Sequence, residues 1–185
     1  MVAIDQNVIS ASLARGDAAT TTTERGDALE DLIVYLFELV PGIADTQRKA
    51  RNPGNVGEID VAFWNDAPDD GLRGFDTFVL VECKNWSTRV GYEEIVVFHD
   101  KLESRGRSFG IMVAASGVTG NAESRTAAHH ALFGYLRTGL EIVVLTRCEI
   151  EHLATTDDLV KLLKRKRLAL TLGGEIFVSS ACEEP

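Results

Sequence analysis

Glu82 and Lys84 lie two residues apart in an apolar run, Phe78-Val79-Leu80-Val81-Glu82-Cys83-Lys84-Asn85-Trp86. Strand side chains alternate between faces, so the carboxylate and the ammonium share one face while Val79, Val81 and Cys83 take the other. Two charges in an apolar strand cost free energy unless they are paired, hydrated or bound to an ion. A plain Glu–Lys pair meets that condition as well as a working site does. A second run, Gly57-Glu58-Ile59-Asp60-Val61-Ala62-Phe63-Trp64, places Glu58, Asp60 and Ala62 on one face and Ile59, Val61 and Phe63 on the other. Turn signals flank it at Pro53-Gly54-Asn55 and Ala67-Pro68-Asp69-Asp70-Gly71, and the linker to residue 78 is short. A hairpin-like pair of neighbouring strands is therefore expected, in a register able to set Asp60 beside Glu82. Two carboxylates and a strand carbonyl are hard oxygen donors, which suit Mg²⁺ or Mn²⁺ rather than zinc. An acidic solvent face on a hairpin is the alternative.

The elements that must position these residues begin with a helix. Residues 28–40 are apolar at helical spacing and stop at Pro41-Gly42, with Thr20 to Thr23 as candidate caps. Asp27, Asp31 and Glu38 form a polar stripe, whereas Glu30 has Ile33, Val34 and Phe37 at three, four and seven residues. An acid on the core side needs a partner, such as a metal site or its water, unless a frayed first turn lets it reach solvent. A helix over 91–103, a strand over 109–114, a helix over 122–137 and a buried strand over 140–146 follow. Thr155-Thr156-Asp157-Asp158-Leu159 opens another helix, and residues 168–178 suggest a strand pair turning at Gly173-Gly174.

Three ordered elements carry a family resemblance: Gly26-x-x-Leu29-Glu30 on a helix, Gly57-Glu58-Ile59-Asp60 on a strand, then Val81-Glu82-Cys83-Lys84-Asn85-Trp86. Together they resemble the PD-(D/E)XK nuclease superfamily, and within it the Mrr-like type IV restriction endonuclease catalytic domain. The resemblance implies an α/β, restriction-endonuclease-like fold, a central mixed β-sheet flanked by helices with an α-β-β-β-α-β core. Residues 24–146 would form that core; outside the resemblance, 147–185 read as an α/β extension of the same domain and 1–23, rich in Ala, Thr and Ser, as an N-terminal arm or short helix followed by a flexible connection. The resemblance further implies phosphodiester hydrolysis of DNA with Mg²⁺ or Mn²⁺ held by Asp60, Glu82 and the Cys83 backbone carbonyl. Lys84 would orient or deprotonate the attacking water and stabilise the pentavalent charge. Glu30 would hold a metal-bound water, and Glu58 competes with Asp60 because it shares its face. The Cys83 thiol, on the opposite face, is left out of the chemistry. Asn85 and Trp86 at the strand end are candidate substrate contacts, or in the case of Trp86 a packing residue.

A chain of 185 residues is long enough for one domain with a sizeable core. It has no apolar run long enough to span a membrane and no basic secretory start. Its three cysteines, Cys83, Cys148 and Cys182, are irregularly spaced, which favours a reduced, cytoplasmic setting without a disulfide frame. Without a C-x-x-C pair, a zinc site built from Cys83, Cys148 and His152 is not favoured either. Adjacent His129 and His130 on a helix point in different directions, so one is expected to be exposed and one packed.

The net charge of -9 is the wrong sign for autonomous, non-specific DNA binding. Cations are clustered, however. Arg48, Lys49 and Arg51 precede the Asp60 strand, Arg89 flanks the site with Lys84, and Lys101, Arg105 and Arg107 end the next helix. Lys161, Lys164, Arg165, Lys166 and Arg167 are densest and are expected to be a solvated helix end. The first group, with Asn85, Trp86 and Arg89, supplies candidate DNA contacts. Targeting would then come from a homodimer or another partner. Two other readings stand beside the DNA endonuclease: a catalytically inactive nuclease-fold module that binds nucleic acid or protein, and a Holliday-junction resolvase-like nuclease.

Overall fold

The computed structural model describes residues 1–51, 57–85, 87–119, 128–173 and 182. In chain order its elements are α1 (Gln6–Ala18), α2 (Thr22–Glu38), β1 (Ile43–Arg51), β2 (Glu58–Asn65), β3 (Phe78–Lys84) and α3 (Tyr92–Glu103). There follow β4 (Phe109–Ala114), α4 (Ala128–Leu136), β5 (Glu141–Leu145), α5 (Arg147–Glu151) and α6 (Thr156–Gly173). The sheet order is β1-β2-β3-β4-β5. Strands β1, β2 and β3 pair antiparallel, whereas β3, β4 and β5 pair parallel. The result is a mixed sheet, with α2-β1-β2-β3-α3-β4 following the expected α-β-β-β-α-β order.

Alternation sorts the strands' side chains into two apolar layers. Val61, Phe63, Val79, Val81, Ile111 and Val113 pack with α1, α2 and α6 on one face. Leu80, Met112, Ile142 and Val144 pack with α3 and α4 on the other. The expected common face for Ile59, Val61 and Phe63 fails at Ile59, which joins the opposite layer. The cause is local. The β2–β3 ladder ends at Val61↔Val81, and beyond it the strands no longer pair backbone to backbone.

Helix α2 starts at Thr22 because Thr21 and Glu24 form a reciprocal capping box. Glu24 Oε2 accepts the backbone N–H of Thr21, and Thr21 Oγ1 accepts that of Glu24. Its buried stripe of Ala28, Leu29, Leu32, Ile33, Leu36 and Phe37 faces the sheet, with Phe37 stacked on Phe63 at 5.0 Å. Helix α1 is a structured part of that layer, with Ile9 and Leu13 buried in the same core as α2.

Two expectations for the C-terminal region need correction. Residues 168–173 continue α6 rather than entering a strand, because Leu159, Leu163, Lys166 and Leu170 hold a three- or four-residue buried spacing. The remainder of the 168–178 segment lies outside the described residues. The dense basic run is mid-helix and not a solvated end: Lys166 is buried and pairs with Glu149 at 2.6 Å, and Arg167 pairs with Glu141. The cysteines also depart from expectation, since Cys148 and Cys182 form a disulfide and only Cys83 is a free thiol. His152 is the third member of that grouping, with Nδ1 3.8 Å from Cys148 Sγ, so Cys83 takes no part in it. The side chains of His129 and His130 and the expected helix start at 122 lie outside the described residues. Among those described, no helix is long and apolar enough to cross a membrane.

Candidate active site

Strand β3 lies between β2 and β4, so its interior positions are buried on both faces. Glu82 is 1 % exposed there, and a carboxylate so buried costs free energy unless it is partnered. It has two cationic partners. Lys84 Nζ lies 2.8 Å from Oε1, confirming that positions 82 and 84 share a face. Lys101 Nζ, from α3, lies 2.7 Å from both Oε1 and Oε2.

Asp60 sits where the β2–β3 ladder opens. Its Oδ2 accepts the backbone N–H of Cys83 at 2.7 Å, so a side chain takes over the pairing that the β2 backbone gives up. The opening turns the Asp60 carboxylate towards β3 and into the field of Glu82. Burial, reinforced by the Glu82 charge, pushes its pKa up to about 6. Burial works against the Lys84 ammonium, but the Glu82 and Asp60 charges overcome it and hold the Lys84 pKa above its ordinary value. The Cys83 thiol is pushed well above its usual range by burial and by the charges of Asp60, Glu30 and Glu82. It remains a neutral thiol at physiological pH.

Glu30 is buried on α2, and its partner is Arg48 of β1, whose Nη2 donates at 3.0 Å. Arg48 Nη1 also donates to Asp31 at 2.5 Å, so one guanidinium ties β1 to α2. Lys49 pairs with Asp27 at 2.7 Å and Arg51 with Glu58 at 2.8 Å. The basic run expected to meet DNA is thus a strand whose cations clasp acids of α2 and β2. Glu58 faces Arg51, away from the pairing of Asp60 with Cys83. Asn85 Nδ2 donates to the Arg25 carbonyl at 3.0 Å and lies where a Cβ on Gly16 would come within 2.7 Å. The amide therefore clips the end of β3 to α1 and α2. Arg89 lies in the segment between β3 and α3, and Trp86 lies outside the described residues.

Lys101 was not among the expected site residues. Its place in the sequence carried a signal: it is three residues from Phe98 and beside Leu102 on the buried stripe of α3. By sequence it stands only as one of a basic cluster with Arg105 and Arg107 at the end of the helix. The structure divides the cluster. Lys101 turns inward, Arg105 Nη2 donates to the Gly57 carbonyl at 2.8 Å, and the Arg107 guanidinium lies 5.3 Å from the centre of the Phe78 ring. Gly57 has φ +66°, and a Cβ there would meet Lys101 Cε at 2.8 Å. The glycine that precedes Glu58 and Asp60 thus admits the stem of the lysine.

The chain that builds this opened strand pair matches a known sequence family. The Mrr catalytic-domain restriction endonuclease family model matches residues 22–150. The chain belongs to that family. The match runs from the first turn of α2 to α5, so it takes in every acid and lysine of the site. Among solved structures, the chain is similar to the small subunit (R.BspD6I2) of the heterodimeric restriction endonuclease R.BspD6I. The TM-score is 0.50 at 13 % identity, covering 94 % of this chain and 82 % of that one. At that identity the likeness concerns the fold. Among curated proteins none matches. Family and fold together place the protein among PD-(D/E)XK, Mrr-like nucleases of restriction type.

Proposed function

We propose that the chain is a divalent-metal-dependent endonuclease that hydrolyses DNA phosphodiester bonds. The observation that carries this reading is the juxtaposition of Asp60, Glu82 and Lys84 where β2 and β3 part. The donor set fits a hard cation: Asp60 and Glu82 supply carboxylate oxygens and Cys83 its backbone carbonyl, with no soft ligand offered. Mg²⁺ or Mn²⁺, when bound, would polarise the phosphoryl oxygen and acidify a water.

The chain's own residues supply the rest. Lys84, paired with Glu82, is placed to orient the attacking water and to stabilise charge on the scissile phosphate. Glu30, fixed by Arg48, is a positioning acid at the edge of the centre. The Cys83 thiol takes no part. Arg48, Lys49 and Arg51 serve DNA only through whatever positive potential remains beyond their acid partners. With a net charge of -9, we infer that targeting is supplied by a second subunit. The similarity to one subunit of a heterodimeric restriction endonuclease supports that arrangement, and a homodimer is its alternative.

The test is cleavage of supercoiled, linear, methylated and branched DNA with Mg²⁺ or Mn²⁺. Cutting of duplex DNA, lost at least about 100-fold in Asp60→Ala and Lys84→Ala, is expected. Cutting confined to branched DNA would indicate a junction resolvase. No cutting of any substrate, or equal cutting by both variants, would leave an inactive binding module.

A further inference from the structure

We propose that Lys101 limits this centre to one divalent ion, because its ammonium already engages both carboxylate oxygens of Glu82. The inference deepens the metal-dependent reading above and rests on it. An ionised carboxylate offers about four acceptor directions. At Glu82 Lys101 takes one on each oxygen at 2.7 Å, and the Lys84 ammonium crowds Oε1 as an ion pair at 2.8 Å. Little of the carboxylate is then left for more than one ion. A two-ion centre needs a carboxylate that reaches both ions, and Lys101 closes that geometry.

Charge points the same way. Asp60 and Glu82 are balanced by Lys84 and Lys101 before any ion arrives. One divalent ion then meets a phosphodiester of opposite charge, whereas two would leave a large positive excess in a site where Glu82 is 1 % exposed.

Lys101 is also held in place. The stem runs across Gly57, where a Cβ would come within 2.8 Å of Cε. Arg105 donates to the carbonyls of both Gly57 and Lys101 at 2.8 Å, which fastens the end of α3 to the start of β2. Phe98 and Leu102, on either side of Lys101 along the stripe, pack so tightly on β4 that a Cβ on Gly110 would meet both at 2.7 Å.

The experiment counts Mn²⁺ bound per chain, from the electron paramagnetic resonance signal of the free ion, on protein stripped with chelator. The parent is expected to bind one ion. Lys101→Met and Lys101→Gln, shown folded by circular dichroism, are expected to bind two, with the broadened spectrum of exchange-coupled Mn²⁺. Two ions on the parent overturn the proposal without any variant. One ion on the parent and on both folded variants also overturns it but leaves the metal-dependent reading standing. No ion on the parent removes both.

Discussion

Asp60 and Glu82 are two acids in one buried site, and they meet their mutual repulsion differently. Glu82 recruits two ammonium groups, while Asp60 holds a single backbone N–H and has its pKa raised to about 6. The raised value has a definite consequence for stability. Between the ordinary pKa of 3.8 and about 6, the native state holds a proton that the unfolded chain has released. This group therefore adds stability below that window and loses the contribution as pH rises through 6. In chelator, the parent should gain on the order of 2 kcal/mol relative to Asp60→Asn on going from pH 7.5 to pH 4. Urea unfolding of both proteins at the two pH values measures the difference, and parallel pH profiles would contradict it. The comparison with Asn matters because Asp17 and Asp31, held below the usual carboxylate range by arginines, shift the parent in the opposite direction.

At the scale of elements, α3 reaches the site by close contact with two strands. Gly110 allows Phe98 and Leu102 onto β4, and a side chain there must push one of them back. Gly110→Ala is expected to cost about 1–3 kcal/mol and to lower activity as Lys101 shifts with the helix. Thermal melts and the cleavage assay together test that link; a stable, fully active variant would show that α3 has slack. Helix α6 depends on a different device. Burial depresses the pKa of Lys166 despite Glu149 at 2.6 Å, so the pair is held at a desolvation cost. Lys166→Ala leaves Glu149 buried and uncompensated, for a loss of about 3–5 kcal/mol. The double variant Lys166→Met with Glu149→Gln should lose clearly less than the two single changes together. Chemical denaturation in a double-mutant cycle would expose simple additivity if the pair were independent.

For the whole molecule, α1 lies outside the matched family segment, yet it is packed into the core beside α2. Gly16 of α1 and Asn85 at the end of β3 are in close apposition, so the helix also backs the strand that carries the site. Ile9→Ala is expected to lower global stability by about 2–5 kcal/mol, as for any buried isoleucine, although it touches no catalytic group. An unchanged denaturation midpoint would make α1 an appendage. Charge acts at the same scale. Arg15, Arg48, Lys49, Arg147 and Arg167 are each committed to a carboxylate, which leaves the -9 surface poorly suited to hold DNA alone. DNA affinity of the isolated chain should be weak and should rise when the targeting partner is present.

Local rules were sufficient for much of this. Two-residue alternation put Glu82 and Lys84 on one face, helical spacing turned Glu30 inward, and the threonine-rich segment capped α2. The order of those elements then gave the family and its mixed sheet, because each signal depends on neighbours a few residues away. Tertiary structure decided what depends on approach between distant segments. It showed that β2 parts from β3 at Asp60, that Ile59 changes layers, and that Arg48, Lys49 and Arg51 form a strand tied to acids. It also joined Cys148 to Cys182 and carried α6 through the expected strand. Lys101 is the clearest case. Nineteen residues separate it from Glu82, and only the packing of α3 across Gly57 and Gly110 turns a lysine from a basic cluster into a partner of the central acid.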